Sequence, residues 1–239
     1  MKYIPSIAFE EMSGSAKGVT AAKNKGRKFI KNRGYGGRIG TSDQAANKGV
    51  MKYITTSWKS LTNDQILAWN KLALSQEAKS VMGTKAKISG LNLFQRLNFW
   101  VVKLGGQLMT MPPTLVGVET PSSATIVCSN SAFTFKLDQA LSDNGGIYLV
   151  IQASEGQSNG VSRAYGKAVQ IHAVEEPTDA AIDIKSAYEA KHGSLGTGAP
   201  KVFFRYFFVN SDTGEASVPM QAVATYAVAS TEEPEPSNP

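Results

Sequence analysis

The chain has 239 residues, of which 42% are hydrophobic and 18% charged, and its formal net charge is +6 at pH 7. This length and composition are typical of one or two globular domains, and no apolar run approaches the ~20 residues that span a bilayer, so a membrane protein is excluded. With two histidines and a single cysteine, zinc sites, most histidine-based catalysis and internal disulfides are disfavoured.

The positive charge is concentrated at the N-terminus. Residues 1–50 contain ten Lys or Arg against three acids, a net of +7, whereas the remaining 189 residues have a net charge of −1. Glycines interrupt this basic segment, and both glycine entropy and like-charge repulsion oppose folding without a partner. We therefore predict an extended arm over residues 1–40. Its contact residues are Lys17, Lys23, Lys25, Arg27, Lys28, Lys31, Arg33 and Arg38.

Helix start signals follow the arm. The segment 41–44 has the form of a capping box. Thr62 begins a second box, which is flanked by a hydrophobic staple of Leu61 and Ile66. Ser89 is placed to cap a third helix, which should end at the Gly105-Gly106 pair. About three helices are therefore predicted over residues 41–106, with a polar connection over 83–87 before the third.

We interpret the remaining chemistry-bearing side chains of the chain as structural. The tryptophans recur at helical spacing and are predicted to pack in a core rather than to form a stacking platform. The cysteine lies in an apolar strand-like run and is predicted to be buried. These residues are Trp58, Trp69, Trp100, Cys128, His172 and His192.

The periodicity changes after the two prolines at 112–113, where short β-rich runs separated by turn residues begin. About seven runs in roughly 120 residues are typical of an immunoglobulin-like or fibronectin-III-like sandwich. A short helix over 180–192 is predicted to cross one end of it. The runs are 115–119, 125–128, 132–137, 147–151, 168–173, 202–209 and 222–228.

The fold class predicted from these patterns is α+β and multidomain. It comprises an extended basic N-terminal arm over 1–40, a small helical domain over 41–110, a C-terminal Ig-like/fibronectin-III-like β-sandwich over 111–230 and an acidic tail over 231–239. No arrangement of side chains is specific enough to name a catalytic residue, a metal site or a cofactor. We therefore expect a protein that is not an enzyme.

Several motifs in the first hundred residues resemble those of an uncharacterised protein family. It is encoded by bacteriophages and prophages, largely of Bacteroidetes-type hosts. The most specific match is the segment 58–69, which contains the pattern W-x-x-L-T-x-x-Q followed by a second Trp. Two positions depart from the family pattern. Ile66 stands where the family has Arg, and Ser15 stands where it has Lys. The resembling segments are 12–19, 23–33, 41–44, 58–69 and 89–98.

This resemblance implies a virion component, made in the host cytoplasm and located in the particle. The leading hypothesis is a structural protein of the head, neck or tail assembly whose arm binds other virion proteins and copies of itself, with no membrane partner. The second hypothesis is a nucleic-acid-binding protein whose basic arm contacts phage DNA. A third, an adhesin whose sandwich binds glycans, rests on fold analogy alone.

Overall fold

The structure is a computed structural model that describes residues 12–16, 18–24, 27–32, 40–79, 85–129, 132–141, 145–196 and 198–227. The described chain is α+β, as predicted. Its helices are α1 (Ser42–Trp58), α2 (Asn63–Ser75), α3 (Gly90–Lys103) and α4 (Lys185–His192), and all of its sheets are antiparallel. The predicted acidic tail at 231–239 lies outside the described residues.

Two compact units make up the chain. The first runs up to Arg96 and includes Met109–Pro112, and the second comprises Leu97–Leu108 and the chain from Pro113 onward. The division therefore runs through α3, which contributes its first half to one unit and its second half to the other.

Three strands precede the helices. They are β1 (Gly14–Ala16), β2 (Val19–Asn24) and β3 (Arg27–Asn32), in the order β1-β2-β3. The structure differs here from the prediction of an arm without order of its own. Val, Thr, Phe and Ile favour strands, and the pairing of β2 with β3 satisfies their backbone groups. We name these three strands the N-terminal sheet.

The helix starts of the first unit are confirmed. The Thr41 hydroxyl accepts from the Gln44 amide at 3.3 Å, and Thr62 and Gln65 complete a reciprocal capping box. One feature was missed by the sequence analysis. The polar connection after α2 contains a short hairpin of β4 (Glu77–Lys79) and β5 (Lys85–Lys87).

An aromatic cluster forms the core of the first unit. Trp69 is fully buried, and its ring packs edge-on against Phe94 with the centroids 5.2 Å apart. Trp58 packs against the same phenylalanine at 5.1 Å. The interpretation of these tryptophans as core residues is confirmed, because both bury ring surface against a common neighbour.

The second unit contains the remaining strands. They are β6 (Ala124–Cys128), β7 (Phe133–Leu137), β8 (Ile147–Ala153), β9 (Val169–Glu175), β10 (Ile182–Asp183), β11 (Lys201–Asn210) and β12 (Met220–Thr225). One sheet has the order β10-β7-β6 and the other β12-β11-β8-β9. Their facing side chains share one core, in which Phe135 packs against Tyr206 at 5.1 Å.

The second half of α3 packs on the opposite face of the four-stranded sheet, where Trp100 meets Phe207 at 5.3 Å. The helix ends as predicted. Gly105 has a φ of +91°, and the Gly106 amide donates to the Val101 carbonyl at 2.8 Å. This arrangement closes the helix because it satisfies a carbonyl that the last turn leaves free.

Six of the predicted β runs are confirmed as strands, with shifted ends, but the run at 115–119 is wrong. The Val116 and Gly117 amides donate to the Glu215 carboxylate at 3.1 and 3.3 Å instead of to a neighbouring strand. Gly117 has a φ of +83°, which no regular strand accommodates. The helix predicted over 180–192 begins only at Lys185, because the short strand β10 precedes it.

Candidate functional site

The structure describes four of the eight basic residues that were predicted to form the contact site. Lys23, Lys28 and Lys31 are described with their side chains, and Arg27 is described through its backbone in β3. Lys17, Lys25, Arg33 and Arg38 lie outside the described residues.

The register of the N-terminal sheet decides which lysines lie together. Lys23 lies directly opposite Lys28, and Thr20 lies directly opposite Lys31. Because paired residues of an antiparallel ladder share a face, Lys23 and Lys28 lie on one face. Lys31 lies on the other face, since successive residues of a strand alternate. The sheet is therefore basic on both of its faces.

Among the described residues, the N-terminal sheet has no buried core. None of its described side chains is buried, and Val19 is 40% exposed. A sheet normally buries at least one face against another layer, and a small isolated sheet is marginal in water. Phe29 and Ile30 remain only half-buried on opposite faces, so both faces offer apolar surface together with positive charge.

The two units carry opposite charge. The first unit contains 17 Lys or Arg against five acids, a net of +12, and the second contains eight against 14, a net of −6. Dividing the chain after residue 50 hides this difference, because residues 51–96 hold seven basic groups and only two acids. Sequence reasoning missed this second basic region since the unit boundary at Arg96 is not visible in the sequence.

Perturbed acids and phenols in the second unit have structural causes. Burial raises the pKa of the Tyr188 phenol, which donates to the Ser154 carbonyl at 3.1 Å. Burial likewise raises the pKa of Tyr206, whose hydroxyl donates to the Ser122 carbonyl at 3.0 Å. Hydrogen bonds from Ser123 and Thr125 lower the pKa of Asp138. Each group holds a strand or loop in place.

The other residues discussed from sequence also have structural partners. Cys128 is 3% exposed, and burial raises the pKa of its thiol from 9.0 to about 11, so it is a poor nucleophile near neutral pH. His192 lies beside the C-cap Gly193 of α4, with Nε2 3.1 Å from the Ala153 carbonyl oxygen. His172 lies in the edge strand β9.

An open pocket of about 460 Å³ lies at one end of the second unit. It is lined by the end of α3, by Tyr148 of β8 and by the turn after β11, which includes Asp212. A hydrogen bond with Glu175 raises the pKa of the Tyr148 phenol. In the described ranges, no three His, Cys, Asp or Glu side chains are grouped to hold a metal ion.

Among the described helices, none combines the length and the hydropathy needed to cross a membrane. Comparison with models of known protein families, with curated proteins and with solved structures finds no match.

Proposed function

We propose that this chain is a structural, non-enzymatic component of a bacteriophage particle, in its head, neck or tail assembly. Its N-terminal segment binds neighbouring subunits, which are other virion proteins and copies of the chain itself. The phage setting rests on the resemblance of segments within residues 12–98 to the phage-encoded family. The observation that carries the binding role is the N-terminal sheet, in which no described side chain is buried.

In this proposal a neighbouring subunit covers the faces on which no described side chain is buried. Ile30 shares its face with Lys23 and Lys28, so a complementary surface is apolar at its centre and acidic at its rim. Burial of the half-exposed apolar side chains would supply affinity, at roughly 25 cal/mol per Å² of apolar area. The charges would favour acidic partners over basic ones.

We also propose a fold type for the second unit. Seven strands of the second unit form two antiparallel sheets around one core, which supports an Ig-like or fibronectin-III-like sandwich. In the particle, the N-terminal segment would act as the attached arm and the helical residues as a small docking domain. The sandwich would project outward or pair with its copies.

A specific observation favours nucleic acid as a second candidate partner. The first unit has a net charge of +12, which exceeds what the predicted arm alone supplies. A field of that size attracts polyanions over several ångströms and weakens as salt is added.

The test measures incorporation into particles. Particles from a host that produces the phage are purified on a density gradient and treated with nuclease, and the chain is quantified by mass spectrometry. We expect a constant copy number per particle for the wild type. The double variant K23E/K28E should lose most of its incorporation because both charges on one face of the sheet are reversed.

The matched control is K136E/R163E, which reverses two exposed charges of the second unit and should be incorporated normally. Absence of the wild-type chain from purified particles would contradict the virion assignment. Equal incorporation of the two double variants would contradict the role of the sheet.

A further inference from the structure

We propose that helix α1 and its C-cap residue, Lys59, carry a second basic surface, which binds the phosphodiester backbone of a nucleic acid. The surface consists of Lys48, Lys52 and Lys59, and we name it the lysine stripe. The proposal concerns residues outside the predicted arm. It does not rest on the role of the N-terminal sheet in binding other proteins.

The spacing of these lysines places them on one side of the helix. Separations of four and seven residues bring the three within about 40° of arc, over a length of about 16 Å. All three side chains are exposed. The fully buried Ile54 marks the opposite side, where α1 packs into the core of the first unit.

The beginning of α1 is uncovered. Every residue from 44 to 49 is exposed, so these turns of the helix bury little side-chain surface against the rest of the described chain. Short helical turns without tertiary packing are marginal in water, and Gly49 weakens them further. A ligand that binds along the stripe would stabilise the segment through contacts that the chain itself does not supply.

The charge of the stripe is not neutralised locally. Within the described chain, no hydrogen bond or ion pair joins Lys48, Lys52 or Lys59 to an acidic side chain. The acid of α1 is Asp43, which lies about 160° around the helix from the stripe. The surrounding unit adds to the same field, with its net charge of +12.

The composition of the stripe favours phosphates over an acidic protein. The residues nearest to the stripe on its two sides are Ala45, Thr56, Gln44 and Thr55, none of which is a large apolar or aromatic anchor. The exposed Tyr53 lies about 120° around the helix from the centre of the stripe. Protein interfaces are depleted in lysine and depend on such anchors, whereas lysine binds phosphate as a point charge. The length of the stripe corresponds to about five base-pair steps of duplex DNA, at ~3.4 Å each.

Binding of lysines to phosphates has a characteristic dependence on salt concentration. Lysine contacts to phosphates position a protein on the duplex without reading its sequence. Each neutralised phosphate releases condensed counterions, so the logarithm of the binding constant falls linearly with the logarithm of salt concentration, by about 0.9 per contact. Three contacts therefore contribute about 2.7 to the slope.

The experiment measures binding of the full chain to labelled 30-base-pair duplex DNA by fluorescence anisotropy, in a salt series from 50 to 200 mM. The test variant is K48Q/K52Q/K59Q. The control is K136Q/R163Q/K191Q, which removes the same number of exposed positive charges from the second unit. Circular dichroism checks that both variants keep the helical content of the wild type.

We expect the stripe variant to lose about tenfold or more in affinity and to reduce the salt slope by about 2 to 3, with the control close to wild type. Parallel titrations with single-stranded DNA and RNA identify which nucleic acid supplies the phosphates. Equal slopes for the stripe and control variants would overturn the proposal. So would polyglutamate that competes as well as DNA at equal charge concentration, since the stripe would then serve an acidic protein.

A result against the stripe leaves the proposed function testable by itself. The stripe variant is assayed for incorporation into particles beside K23E/K28E. If the stripe variant loses DNA affinity but is incorporated normally, the two surfaces have separate roles. If only K23E/K28E loses incorporation, protein binding is assigned to the N-terminal sheet.

Discussion

Trp69 Nε1 donates a hydrogen bond to the Thr110 carbonyl oxygen at 2.9 Å and so joins α2 to a segment 41 residues further along the chain. The indole is fully buried, and a buried donor without a partner is costly. This bond explains why Met109–Pro112 belongs to the first unit although the preceding twelve residues belong to the second.

The variant Trp69→Phe should therefore destabilise the first unit. It removes the donor to Thr110 and leaves a gap beside Phe94, at a cost of about 2–4 kcal/mol in the free energy of unfolding. Urea unfolding followed by circular dichroism at 222 nm measures the loss. Tyr53→Phe, at a side chain that is 55% exposed, serves as the control and should change stability little. Equal midpoints for the two variants would contradict the packing described here.

The capping box gives a second prediction. Thr62→Ala removes the acceptor for the Gln65 amide at the start of α2, which should cost about 1 kcal/mol. Thr56→Ala, at an exposed position inside α1, is the matched control and should be neutral or slightly stabilising because alanine has the higher helix propensity. The urea midpoints of the two variants are compared. A Thr62 variant as stable as wild type would show that the cap does not limit α2.

Gly214 occupies a position in the second unit that only glycine fits. Its φ is +68°, and an added Cβ would overlap the Leu97 carbonyl oxygen. Gly214→Ala should cost about 1–3 kcal/mol from the backbone conformation alone. Gly160→Ala is the control, since no heavy atom lies within 4 Å of the added Cβ. Thermal unfolding distinguishes them, and equal melting temperatures would contradict the close approach.

Ionisation of the Cys128 thiol should make the stability of the folded chain depend on pH. The pKa of its thiol is about 11 in the folded chain, raised by burial from 9.0. Between these values the unfolded chain loses the thiol proton first, so stability falls as the pH rises from 9 towards 11. Below this window the thiol is protonated in both states and contributes no pH dependence.

The measurement compares wild type with Cys128→Ala by urea unfolding at pH 8 and at pH 10.5. Tyrosines with raised pKa values also contribute at high pH, but they are common to both proteins. The wild type should lose more stability than the variant between the two conditions. Parallel losses would show that the thiol ionises equally well when folded.

Local signals in the sequence predicted the helices well. Thr41, Thr62 and Ser89 each accept a backbone amide three residues further on, and Gly105 ends α3, because capping depends on neighbours in sequence. The strands of the second unit were found by their β-branched and aromatic runs. The prediction of a strand at 115–119 was wrong because the carboxylate of Glu215, distant in sequence, accepts hydrogen bonds from two amides of this segment.

The candidate surfaces were predicted less completely. The basic residues of the arm were evident from composition, but the pairing of Lys23 with Lys28 follows from strand register, which composition does not contain. The lysine stripe was missed because Lys48 was counted with the basic N-terminal segment, whereas Lys52 and Lys59 were averaged with the acids of the second unit. The unit boundary within α3 depends on long-range packing, as at Trp100 and Phe207.

The most direct test of the central claim is amide hydrogen exchange of residues 19–24 and 27–32, measured by peptide mass spectrometry in the free chain and in purified particles. A sheet in which no described side chain is buried opens easily, so we expect fast exchange in the free chain and strong protection in the particle. Exchange that is equally slow in both states would show that the sheet needs no partner. Exchange that stays fast in the particle would show that no partner covers it.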